Sequence, residues 1–165
     1  MSAMDFQELI SRFGLALGIG LLFVGFGSLL AAGDAKDEAI TKERKKFEGT
    51  WQVVSLEVDG NKVGEADARK ITVINAADGT WTVEADGTVV ARGSRVIDPT
   101  KKPKAVDLTG TEGQDKGKTL QGIYEFSGDD SRKVCLAPAG KERPTEFAAP
   151  SGSGHILAVL NRVKK

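Results

Sequence analysis

The chain has 165 residues with 23 basic and 23 acidic side chains, so it is formally neutral and long enough for one domain. Its charges are interspersed, and no basic face is available to displace counterions from phosphate, which argues against nucleic acid as a partner. A single cysteine, Cys135, rules out a disulfide within the chain.

Residues 13–32 read FGLALGIGLLFVGFGSLLAA, twenty residues without a charge. As a helix rising 1.5 Å per residue, such a run covers roughly 30 Å, the hydrocarbon thickness of a bilayer. Arg12 precedes it and Ala31-Ala32-Gly33 closes it, the layout of a secretory signal. Cleavage after Gly33 or after Ala35 satisfies the small-residue rule. Asp5 and Glu8 in the leading segment, and the length of the run, fit an uncleaved membrane anchor instead. No cysteine follows the run, which excludes a lipid-modified lipoprotein. Residues 1–33 are therefore read as signal peptide or anchor. The remainder is expected beyond the cytoplasmic membrane, secreted, periplasmic or tethered, touching the membrane only through this segment.

Beyond the leader, 22 basic and 21 acidic side chains remain. Residues 34–46 alternate in charge, with Glu38 and Lys42 at i,i+4 spacing, and predict a short exposed helix or tether. From Phe47 onward the pattern changes to period-2 runs separated by turn residues. The runs fall at 49–59, 71–74, 80–85, 88–97, 105–109, 120–127, 132–137 and 155–163. Asp59-Gly60, Asp78-Gly79 and Asp86-Gly87 mark tight turns, where the backbone needs residues that accept positive φ. Eight antiparallel strands with short links are enough to close a small barrel and remove its exposed edges. Residues 47–165 are thus predicted to be one all-β, eight-stranded antiparallel barrel behind an N-terminal hydrophobic helix.

The chemistry-bearing residues are sparse. His155 is the sole histidine, and neither HExxH nor CxxC spacing occurs, so no metal site is expected. Ser153 stands two residues from His155, but its Gly-Ser-Gly-His setting reads as a flexible turn into the last strand. The segment Gly113 to Thr119 imitates a phosphate-binding loop with one residue too few between its glycines and no helix after it. Asp129-Asp130 reads as a polar turn, and Cys135 as a small apolar strand residue. Glu57, Glu84, Asp107, Glu125 and Glu146 lie in or near strands and are read mainly as outward-facing. Trp81, Tyr124, Phe126 and Phe147 are the candidate lining of an apolar lumen, against the plainer alternative that they fill the core.

At Gly49-Thr50-Trp51 the first strand resembles the lipocalin signature, a Gly-x-Trp after a short helical turn. The blocks GTWQVVSLEVDG, DPTKKPKAVDLT, TEGQDKGKTLQGIYE, GKERPTEF and GSGHILAVLNRVKK resemble an uncharacterised lipocalin-like domain family recurrent in planctomycete genomes, from Phe47 to Lys165. The resemblance implies a calycin-type barrel, commonly behind an export signal, and brings no activity. It also implies that Arg162 packs over Trp51, so that Gly49, Trp51 and Arg162 form the barrel floor.

The function expected is an exported, non-catalytic module without cofactor that binds a small apolar or amphipathic ligand in the barrel. The alternative is a filled-barrel structural or interaction module of the cell envelope, contacting an envelope protein through the loops at 98–104 and 111–119. An enzyme needs at least two convergent ionisable groups in a cleft, and no motif supplies them.

Overall fold

Two Asp-Gly pairs set the register from which the sheet grows. Asp59 and Gly60 have φ of 51° and 79°, and Asp86 and Gly87 have 50° and 75°. Positive φ at both central residues is the turn whose twist matches that of the strands it joins. Accordingly Val58 pairs with Asn61 across the first turn, and Ala85 with Thr88 across the second.

A computed structural model describes residues 31–164. A helix, α1 (Ala31–Phe47), precedes the strands β1 (Gly49–Val58) and β2 (Asn61–Lys62). One helical turn, α2 (Glu65–Ala68), leads to β3 (Ile71–Asn75), β4 (Thr80–Ala85), β5 (Thr88–Asp98) and β6 (Lys104–Glu112). The chain ends in β7 (Thr119–Ser127), β8 (Ser131–Leu136) and β9 (Ile156–Arg162). From β3 to β9 each strand pairs antiparallel with the next, β1 pairs with β3, and β9 returns to β1. The result is a closed eight-stranded antiparallel barrel with β2 as an extra strand on β1. Register shifts at Val53/Ser55, Val83/Glu84 and Arg92/Gly93 place bulges in three strands. Bulges of this kind add local bend and twist, which closure demands.

The eight expected strands all occur, with no end moved by more than three residues and 80–85 unchanged. The two-residue β2 is additional, because Asn61 and Lys62 have no apolar alternation to reveal them. The tether at 34–46 belongs to α1, whose C-terminal end docks on the barrel through buried Glu43 and Phe47. Glu43 forms an ion pair with Lys104 at the start of β6. The apolar run at 13–32 lies almost wholly outside the described residues. Among the described residues no helix is long and apolar enough to cross a membrane.

One end of the barrel is closed by side chains from both ends of the described chain. Trp51 is fully buried and donates its indole N–H to the Phe47 carbonyl at 2.8 Å. The Arg162 guanidinium lies 4.3 Å from the indole centroid. It also donates to the carbonyls of Glu48 at 2.6 Å, Lys46 at 2.9 Å and Asp129 at 3.2 Å. Gly49 sits at φ +106°, and a Cβ there would stand 3.0 Å from Arg162 Nη1. The glycine therefore gives the backbone both the conformation and the room for the guanidinium to pass. Gly49, Trp51 and Arg162 thus come together at the closed end.

Residues 137–155 cross the outer face of β6, β7 and β8. Arg143 pins this strap, donating to the carbonyls of Val106 at 3.0 Å and Gly122 at 2.7 Å and pairing with Asp107 at 2.7 Å. Beneath it the outward-facing Ile123 and Cys135 are fully buried.

Replacing Arg162 by leucine leaves three backbone carbonyls without their charged donor and removes the cover from Trp51. Urea unfolding should show a loss of about 2–3 kcal/mol, the scale of hydrogen bonds to charged groups. An unchanged midpoint contradicts this account of the closed end.

Candidate functional site

Strand alternation decides what faces the lumen. In β9 Ile156, Ala158 and Leu160 point inward, in β8 Arg132, Val134 and Leu136, and in β1 Val53, Leu56 and Val58. The same parity in β3 and β4 supplies Ile71, Val73, Asn75, Trp81, Val83 and Ala85. These walls enclose a cavity of about 290 Å³ that is partly open to solvent. Most of its lining is aliphatic or aromatic, with Asn75, Arg95, Gln114, Asp115 and Arg132 the polar members, a composition usual for small-molecule sites.

The cavity is polarised along its length. Its closed end is floored by Phe47, around which Tyr124 and Phe126 pack edge-to-face with centroids 4.9 and 5.0 Å away. Its mouth is bordered by the β6–β7 loop, where Gln114 and Asp115 join the lining. That loop folds back on itself, Gly117 N–H donating to the Gly110 carbonyl at 2.8 Å. Asp115 pairs with Lys118 at 3.6 Å, and burial raises its pKa.

Two arginines occupy the closed end. Arg95 is 5% exposed and Arg132 is 3% exposed, and both line the lumen. Each guanidinium lies over the Phe47 ring, at 4.6 and 4.8 Å from its centroid, and Arg132 also lies 4.3 Å from the Trp51 indole. Arg95 donates through Nη1 to the Asn75 Oδ1, reaching past β4 to β3 along the same wall. Neither arginine makes a salt bridge among the described residues. Four nitrogens here have no hydrogen-bond acceptor: Asn75 Nδ2, Arg95 Nη2, and Arg132 Nε and Nη1.

Burial pulls Arg132 down to about 9, with the positive charges of Arg95 and Arg162 adding to the effect. Burial likewise pulls Arg95 down to about 10, with Arg44 contributing. Both remain charged at pH 7. Stacking on desolvated aromatic rings returns about 2 kcal/mol per contact. Withdrawing an unpaired ion from water costs several kcal/mol even after relaxation. The aromatic cradle therefore offsets only part of the penalty. The carboxylates of Asp78 and Glu48 act on Arg95 but are outweighed by its burial, and the charges acting on Arg132 are positive.

The aromatic candidates from the sequence separate into three places. Trp81 lines the lumen, covers Gly93 of β5, and donates its indole N–H to the Ser94 carbonyl at 2.9 Å. A Cβ on Gly93 would come within 2.4 Å of the Trp81 ring, so the indole lies flat only because the glycine lacks one. Tyr124 and Phe126 face inward but form the packed floor with Phe47 rather than the cavity wall. Burial, with the Glu43 carboxylate next in effect, raises the Tyr124 pKa. Phe147 lies outside the barrel, on the strap, with Lys133 Nζ 4.7 Å from its ring centroid. The expectation that Phe147 lines the lumen is corrected, because Lys133 alternates with inward-facing Arg132 and Val134 and so projects outward.

Several of the other residues weighed in the sequence have local partners. Ser153 donates its hydroxyl to the Pro150 carbonyl at 2.6 Å and accepts the His155 backbone N–H at 3.0 Å. The His155 ring nitrogen Nδ1 lies 3.3 Å from the Ala148 carbonyl. Glu125 pairs with Lys133 at 3.0 Å and Asp107 with Arg143 at 2.7 Å, both on the outer face. Asp130 pairs with Arg162 at 3.5 Å and with Lys164 at 3.1 Å. Among the described residues no cluster of His, Cys, Asp and Glu is arranged to hold a metal ion. No protein-family model matches this chain, and no curated protein matches it in sequence.

Cys135 donates its thiol to the Ala148 carbonyl at 3.3 Å beneath the strap, and burial raises its pKa. A raised thiol pKa means less thiolate in the folded state at any pH below it, and only the thiolate reacts. Iodoacetamide at pH 8 should therefore leave Cys135 unmodified in the native protein and label it once urea unfolds the barrel. Rapid native labelling would show that the strap does not cover this strand.

Proposed function

We propose that this protein is an exported, non-catalytic, lipocalin-like binding protein whose barrel takes up a small apolar or amphipathic molecule. The observation that supports this reading is the apolar cavity of about 290 Å³ inside a closed barrel. A barrel serving only as a scaffold gains stability from filling such a space, since each buried void forfeits contacts. At about 30 Å³ per water-sized group the cavity has room for about ten such groups. The charge-free run at 13–32 supports export or tethering. The stacking of Arg162 on Trp51 behind Gly49 supports the lipocalin-like assignment. The reading calls for no cofactor, and the loops at 98–104 and 111–119 would serve an envelope partner if the barrel acted as an interaction module.

Octanol, a neutral amphiphile of nine heavy atoms, fits that volume and should bind the full chain in calorimetric titration. Ala158 lies in mid-lumen on β9, so Ala158→Phe should weaken that binding at least tenfold while the far-UV circular dichroism stays unchanged. A native chain that binds neither octanol nor its carboxylate, octanoate, nor octyl phosphate would set the reading aside.

A further inference from the structure

We infer that the ligand is a single-chain amphiphile whose oxyanion head, a carboxylate or phosphate monoester, is held at the closed end of the lumen by Arg95, Arg132 and Asn75. This deepens the binding-protein reading and rests on it.

The argument begins with the kind of atom left unsatisfied. All four unpartnered nitrogens at the closed end are donors, from Asn75 Nδ2, Arg95 Nη2 and Arg132 Nε and Nη1. They belong to side chains that are 5%, 5% and 3% exposed and that all line one cavity. Glu43 Oε2 and the Tyr124 hydroxyl are also unpartnered at this end, but neither lines the cavity, whereas the four nitrogens belong to residues that do. Buried polar groups are almost always hydrogen-bonded, so these donors call for acceptors from water or from a ligand, and two guanidiniums favour a charged one. A charged acceptor with several lone pairs on a small centre is an oxyanion. A neutral hydroxyl or amide answers the hydrogen bonds and leaves the charge uncompensated.

The placement of charge within the cavity selects the rest of the ligand. Asp115, the acidic residue of the lining, lies at the opposite end, in the β6–β7 loop, and is paired with Lys118. Between the arginines and that loop the walls are apolar, with Val73, Val83 and Ala158 among them. A free inorganic anion would satisfy the donors and leave this space empty. A molecule with one charged end and an unbranched tail fills both, entering head first with its tail toward the mouth. The Phe47 and Trp51 rings hold Arg132 by stacking, so its planar fork keeps its edges free for the head group.

Octanoate has ten heavy atoms and matches the cavity in size. Calorimetric titration of the purified, delipidated full chain with octanoate, octyl phosphate and octanol at pH 7 tests the assignment. At least one of the two anions should bind tenfold or more tighter than octanol, and the tighter one identifies the head group. Asn75→Asp places a carboxylate beside Arg95 with almost no change in shape. It should abolish the preference for the anion and leave octanol binding unaltered. Arg132→Met should do the same, and Asn75→Asp keeps the test valid if that variant does not fold. Equal binding of octanol and both anions, or a preference that survives both substitutions, overturns the inference and leaves the apolar pocket standing. If none of these three binds, the pocket reading fails and the inference fails with it.

Discussion

The indole of Trp51 is the point where the closure of the barrel and the character of its lumen are decided together. Its N–H holds the last carbonyl of α1, and the guanidiniums of Arg162 and Arg132 each lie 4.3 Å from its centroid. Arg162 belongs to the last strand, and its bonds to the carbonyls of Lys46 and Glu48 tie that strand to the chain just before the first. Arg132 belongs to the lumen, with Phe47 as its second aromatic neighbour. One aromatic ring thus serves a structural cation and a cation exposed to the cavity.

The two arginines differ in how their charge is met. Arg162 is partly exposed, donates to three carbonyls and stands near Asp130. Arg132 is almost fully buried and has two nitrogens without an acceptor. A protein selected only for stability has little use for the second arrangement, because a well-packed apolar residue of similar volume is commonly as stable or more so. Local arrangements that cost stability concentrate at functional sites. On the proposed reading the apolar cavity and the buried cations are two parts of one arrangement: a solvent-poor lumen gives the arginines a strong local field, and the arginines would orient an anionic ligand.

The barrel was legible in the sequence because its two main signals are local. Asp59-Gly60 and Asp86-Gly87 announce two-residue hairpins, and period-2 alternation marks the strands they join. The site was less legible. Gly93, Arg95 and Ile97 share the inward face of β5, but Val96 on the outward face is 61% exposed, so hydropathy alone does not say which face is buried. In β8 the inward Arg132, Val134 and Leu136 alternate with Lys133 and Cys135, and Cys135 is buried on the outside by the strap. With both faces partly apolar, the period-2 pattern loses its contrast, and an arginine reads as surface by default. The outer strap also explains the displacement of Phe147, which belongs to residues 137–155 and is half-buried on the outside of the barrel beside Lys133. Trp81 was legible as a lumen residue because Val83 and Ala85 follow it at the same parity.

The most direct test of the central claim is a pH titration of [1-13C]octanoate bound to the full chain, followed by the carboxyl carbon resonance. A carboxylate facing two buried guanidiniums is stabilised in its charged form, whereas one in a merely apolar pocket is destabilised. The account predicts that the bound carboxyl titrates well below free octanoate recorded in the same buffer. A bound carboxyl that titrates at the free value, or above it, would place the head group away from Arg95 and Arg132 and contradict the account.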